Sequence, residues 1–112
     1  MPTTNRIEKV NSLLSQEIGK IILRDFDFSD CLVTLTHADT TPNLIDTRIY
    51  ISVMPENKIE NIVKILNNNV RDIQHKINRK LNMRPIPKII FVKDDNVRGA
   101  ARIEAILNQL KN

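Results

Sequence analysis

Apolar residues recur three and four apart through residues 5–24, where Ile7, Val10, Leu13, Leu14, Ile18, Ile21 and Ile22 define a stripe that only Glu17 interrupts. The spacing predicts an amphipathic helix, with Thr3 or Thr4 as its cap and the turn-prone acids of residues 24–30 as its stop. Gly19 lies inside this helix, where it costs about 1 kcal/mol relative to alanine, and it points to a close helix crossing. The pattern then changes period. Residues 31–39 alternate, with Val33 and Leu35 on one face and Thr34 and Thr36 on the other. After a turn at Pro42-Asn43, residues 47–53 alternate more cleanly, sending Ile49, Ile51 and Val53 one way and Arg48, Tyr50 and Ser52 the other. These two strands are expected to form an antiparallel pair.

Pro55-Glu56 opens a second helix, because proline and an acid both suit a first turn, and Ile59, Ile62, Val63 and Leu66 continue at helical spacing. Asn67-Asn68-Asn69 then kinks the helix or stops and restarts it, since asparagine is a poor helix former and a good cap. Val70, Ile73, Ile77 and Leu81 resume the same apolar stripe. Prolines at 85 and 87 force residues 84–87 to be extended. Residues 88–93 follow as a continuous apolar strand, expected to be covered on both faces or central in the sheet. Residues 94–98 read as a loop. Residues 100–110 close the chain as an amphipathic helix on Ala100, Ile103, Ile106, Leu107 and Leu110. The order is helix, strand, strand, broken helix, strand, helix, with no internal repeat. That is one domain over residues 1–112, an α+β or α/β layer of three strands with helices mainly on one side.

Composition adds limits. A chain of 112 residues, 41% hydrophobic and 27% charged, reads as one soluble domain. It is long enough to bury roughly two-thirds of its unfolded surface, so folding calls for no cofactor, metal or disulfide. The single cysteine, Cys31, and a start without an apolar signal core point to the cytosol. No apolar run approaches the roughly 20 residues of a membrane helix, so no membrane partner is expected.

The formal charge is +4, and it is unevenly placed. Arg71, Lys76, Arg79, Lys80, Arg84 and Lys88 fall in 18 residues that hold one acid, Asp72, so this stretch carries +5 and the rest of the chain is slightly acidic. Concentrated charge of this kind suits phosphate, although a charge run can equally be a solvated helix face. Its geometry favours the first reading. On a helix, Arg71, His75 and Arg79 succeed one another at four-residue steps opposite Val70, Ile73, Ile77 and Leu81, and Asn68, Asn78 and Asn82 share their side. Guanidinium, imidazole and amide groups match phosphate oxygens and 2′-hydroxyls, the groups by which folded RNA is mostly held. One tyrosine and three phenylalanines are too few for a base-stacking reader.

No arrangement of residues commits the chain to catalysis or to a small-molecule substrate. His37, His75 and Cys31 cannot supply a zinc cluster, and Cys31 and His37 stand about 20 Å apart along an extended strand. Asp94-Asp95 lacks the further acids that a metal-dependent nuclease needs. Gly19 and Gly99 are the only glycines, so no phosphate-cradling loop exists. The rival to RNA binding is a protein-interaction module using the polar strand face and the terminal helix, with the basic helix merely solvated.

The ordered phrases of the chain resemble the ribosome-binding factor A family. They are Arg6-Ile-Glu-Lys-Val10 with Leu13, Leu14, Glu17 and Ile18; Val33-Thr-Leu-Thr-His37; Tyr50-Ile-Ser-Val53; Arg84, Pro87, Ile89, Phe91 and Asp94; and Arg102-Ile-Glu with Leu107. The resemblance implies a type II KH-like domain, a non-enzymatic monomer that binds the immature 30S subunit and its 16S rRNA near the decoding region. It also implies a role in late 16S rRNA maturation and cold adaptation, with departure before translation. The family's Ala-x-Gly kink falls on Asn69-Val70-Arg71, where neither the alanine nor the glycine is present, and the long basic tail of some relatives is not expected here. On this reading Arg71, Lys76, Arg79, Lys80 and Arg84 meet RNA phosphates, and Asn68, His75 and Asn82 add polar contacts. Arg84 has a rival role in pairing with an acid or covering the sheet edge, and Arg48 and Tyr50 are secondary candidates.

Overall fold

Helix α1 (Pro2–Asp25) buries Val10, Leu14, Ile18, Ile21 and Ile22, the stripe its sequence periodicity marks out. The computed structural model describes residues 2–95. Because α1 begins at Pro2, Thr3 and Thr4 lie within the helix and not at its cap. Glu17 stays at the edge of the stripe, paired with Lys20 at 3.3 Å. A methyl group built on Gly19 would meet nothing within 4 Å, so among the described residues no helix crosses closely there.

Strands β1 (Leu32–Thr40) and β2 (Asp46–Met54) pair antiparallel, as the alternation predicts. One detail escapes simple alternation. Leu35 pairs with Ile51 and His37 with Tyr50, which leaves Thr36 as an extra residue in a β-bulge. Val33 and Leu35 pack against the core before the bulge, and Ala38 and Thr40 are buried after it, so the inward phase switches from odd to even numbers. The turn between the strands is held by side chains: Thr41 Oγ1 and Asn43 Oδ1 both accept from the Ile45 amide, at 3.3 and 3.2 Å. Leu44 takes a φ of 61° within it.

A single 3₁₀ turn (Glu56–Lys58) after Pro55 leads into α2 (Ile59–Asn68) and α3 (Val70–Lys80), which bury Ile59, Ile62, Leu66, Ile73 and Ile77. The pair forms the crossover that a parallel neighbour requires. Strand β3 (Lys88–Lys93) accordingly runs parallel to β2, giving the sheet order β1-β2-β3. This corrects the expectation of a central or doubly covered third strand. Ile89 and Phe91 are buried while Lys88, Ile90 and Lys93 are exposed, so β3 is an edge strand with one covered face. Its apolar Ile90 and Val92 made a one-sided strand look two-sided. The three helices of the described residues pack on the same face of the sheet, an α+β architecture with the core between the layers. The expected helix over residues 100–110 lies outside the described residues.

Candidate nucleic-acid interface

The α2–α3 break sets the geometry of the basic stretch, and each of its three asparagines has a separate task. Asn69 sits between the helices at φ −106° and ψ 8°, so the kink forms without left-handed backbone. Its own amide and its Nδ2 both donate to the Ile65 carbonyl, at 3.2 and 2.8 Å, and its carbonyl accepts from Ile73 at 3.1 Å. Asn67 turns toward the sheet: its Nδ2 donates to the Phe91 carbonyl and its Oδ1 accepts from the Phe91 amide, both at 2.9 Å. Asn68 is left exposed.

Beyond the kink, Arg71, His75 and Asn78 of α3 and Lys88 at the start of β3 line a groove of about 840 Å³ together with Asn68, Gln74 and one acid, Asp72, which pairs with Lys76. Gln74 crosses its floor, accepting from the Ile89 amide at 2.8 Å and donating to the Pro87 carbonyl at 3.2 Å. Arg79 continues the exposed face of α3. Asn82 and Arg84 are exposed in the segment after the helix, where Arg84 donates to the Met83 carbonyl at 3.0 Å. Among the described residues, no carboxylate lies within ion-pair distance of Arg71, Arg79, Lys80, Arg84 or Lys88.

Lys76 and Lys80 face elsewhere. Lys76 binds Asp25 at 2.6 Å and Asp72 at 3.2 Å, so its charge is balanced by two acids and ties α3 to the end of α1. Those hydrogen bonds, to Asp25 first and Asp72 second, raise the Lys76 ammonium above its ordinary range. Asp25 is lowered in turn, first by Arg24 and then by Lys76. Lys80 lines a small crevice between α1 and α3 with Glu17, Lys20, Arg24 and Lys76. Of the six cations clustered in sequence, Arg71 and Lys88 thus line the groove and Lys76 and Lys80 line the α1 side, while Arg79 and Arg84 are exposed and line neither.

Arg48 and Tyr50 lie on the face of the sheet opposite the described helices, where Tyr50 stacks on His37 with centroids 4.1 Å apart. Sequence reasoning missed Lys88 as a groove residue, and Asn67 and Gln74 as the groups that hold the groove together. Only the proline-spaced return of the chain to β3 hinted that Lys88 comes back to α3. Among the described residues no group of three or more His, Cys, Asp or Glu side chains is placed to hold a metal ion. No helix among them is long and apolar enough to cross a membrane.

Comparison with known proteins supplies independent findings. A family model described as ribosome-binding factor A matches residues 6–107. A ribosome-binding factor A of Prochlorococcus marinus (strain AS9601) is 33% identical across all of this chain and 89% of that one. One of Chlamydia pneumoniae is 31% identical over 99% of this chain and 96% of that one. The crystal structure of ribosome-binding factor A from Thermus thermophilus superposes with a TM-score of 0.65 at 16% identity, over 78% of this chain and 94% of that chain. That likeness establishes a shared KH-like fold.

Proposed function

The chain belongs to the ribosome-binding factor A family, and on that premise we propose that it is a ribosome assembly factor that binds the immature 30S subunit through 16S rRNA. It acts by binding and without catalysis, as a single KH-like RNA-binding domain and a monomer in the cytoplasm, and it assists late 16S rRNA maturation. The observation that carries the reading is the groove's pair of cations: Arg71 and Lys88 converge from different elements, alongside His75 and amides; the one acid in its lining, Asp72, pairs with Lys76, and no carboxylate is paired to either groove cation among the described residues. Phosphate recognition needs cations whose charge is not already spent. Arg79 and Arg84 extend the same contact surface, with Asn68 and Asn82 as polar contacts. Lys80 contributes from the α1 side. Lys76 is left out, because its ammonium already serves two carboxylates. Two bidentate amide pairs occupy the outer edge of β3, so RNA is held by its backbone and shape in preference to base edges.

Cosedimentation with mature and immature small subunits across a salt series, with large subunits as control, tests the reading. Binding confined to the small subunit and falling steeply with salt is expected. Reversal of Arg79 and Lys80 to glutamate should weaken it and flatten its salt dependence with little change in melting temperature. No binding by folded protein overturns the assignment. The second reading, a protein-interaction module, draws on Leu32, Met54 and Ile90, which are 67%, 62% and 45% exposed on the face of the sheet opposite the described helices. Binding that survives RNase treatment would favour it.

A further inference from the structure

We infer that Asn67 and Gln74 are positioning residues of the interface, a pair of side-chain amides that takes the place of a fourth strand along β3 and fixes Arg71 and His75 relative to Lys88. The inference rests on the reading of the groove as an RNA site. A carboxamide has the donor and acceptor of a peptide unit, so it can pair with a strand edge as another backbone would. Asn67 does so at both polar groups of Phe91, and Gln74 does so at the Ile89 amide and the Pro87 carbonyl. These are the outward groups of an edge strand, otherwise open to pairing with another chain.

The two amides also flank the helix break. Asn67 is in the last turn of α2 and Gln74 is on α3, so each half of the broken helix is bound to the same strand. Apolar packing of Leu66 and Ile73 resists separation of helix from sheet but is non-directional, and it sets rotation about the kink only loosely. Paired hydrogen bonds are directional and remove that freedom. Gln74 passes the constraint onward by donating to Asn78 Oδ1 at 3.1 Å, within the groove itself.

Asn67→Leu and Gln74→Met keep approximate size and net charge while removing the amides. Amide hydrogen exchange should show faster exchange at Phe91 in the first and at Ile89 in the second. Each variant should bind small subunits about tenfold more weakly at low salt, with the slope of log affinity against log salt reduced by roughly one phosphate contact. A purely stabilising role would lower melting temperature but leave that slope unchanged below the melting range, and such a result overturns the inference. Should either variant fail to fold, Asn67→Asp decides: its affinity deficit relative to the unmodified protein should shrink as acid protonates the carboxyl and restores a donor toward Phe91. A deficit that is constant with pH also overturns it. Absence of binding by the unmodified protein overturns the reading of the site itself, together with this inference, whereas normal binding with unaffected variants overturns the inference alone.

Discussion

At the scale of single residues, Thr40 is the middle member of a buried chain. Its hydroxyl donates to Asn11 Oδ1 and lies 2.7 Å from the Thr47 hydroxyl, linking both hairpin strands to α1 beneath the core. Thr40→Val should therefore cost about 1–3 kcal/mol in urea unfolding, because it strands a buried hydroxyl, and Thr40→Val with Thr47→Val should recover part of the loss. Gly19→Ala should do the opposite. Helix propensity favours it and the added methyl meets nothing among the described residues, so stability should rise by about 0.5–1 kcal/mol. Asp25 sets an acid-range dependence. Its folded carboxyl is held below the ordinary range by Arg24 and Lys76, so its contribution is present above the unfolded value of about 3.9 and is lost as pH falls through the folded one. Asp25→Asn should flatten the acid limb of stability measured from pH 7 to 3. Of these residues, sequence marked Asp25 only as one of the turn-prone acids that stop the helix, and Gly19 for a close helix crossing that none of the described residues makes. Hydroxyl pairing between positions 29 residues apart leaves no local trace.

At the scale of elements, periodicity located the strands and helices because each buries one face, and that demand writes itself into residue spacing. It failed at β1 and β3 for different reasons. In β1 the bulge at Thr36 adds one residue and reverses the numbering phase, while every side chain keeps its face. Deleting Thr36 should consequently be tolerated better than deleting Thr34, which turns Val33 away from the core. A difference of about 1 kcal/mol would separate the two melting temperatures by several degrees, as thermal unfolding can resolve. In β3 the open face carries Ile90 and Val92, so hydrophobicity alone could not reveal an edge strand.

At the scale of the whole molecule, the basic stretch divides between two sides of α3. Lys76→Met should lower melting temperature by loosening the α1–α3 contact yet leave the salt slope of subunit binding unchanged, whereas Arg71→Glu should reduce that slope at nearly constant melting temperature. Linear charge density cannot predict such a division, because neighbours in sequence stand about 100° apart around a helix. The sequence by itself determined the order of the described elements, the helix break at the asparagines and the side of α3 that carries Arg71, His75 and Arg79. These depend on spacing within one segment, and local geometry converts spacing into direction. The tertiary structure alone decided that β3 lies at an edge, that Lys76 is committed to Asp25, and that Asn67 and Gln74 seal β3 while Lys88 completes the groove. Each of these depends on groups brought together by chain return, and their partners are fixed by hydrogen-bond satisfaction and charge pairing across the folded layers.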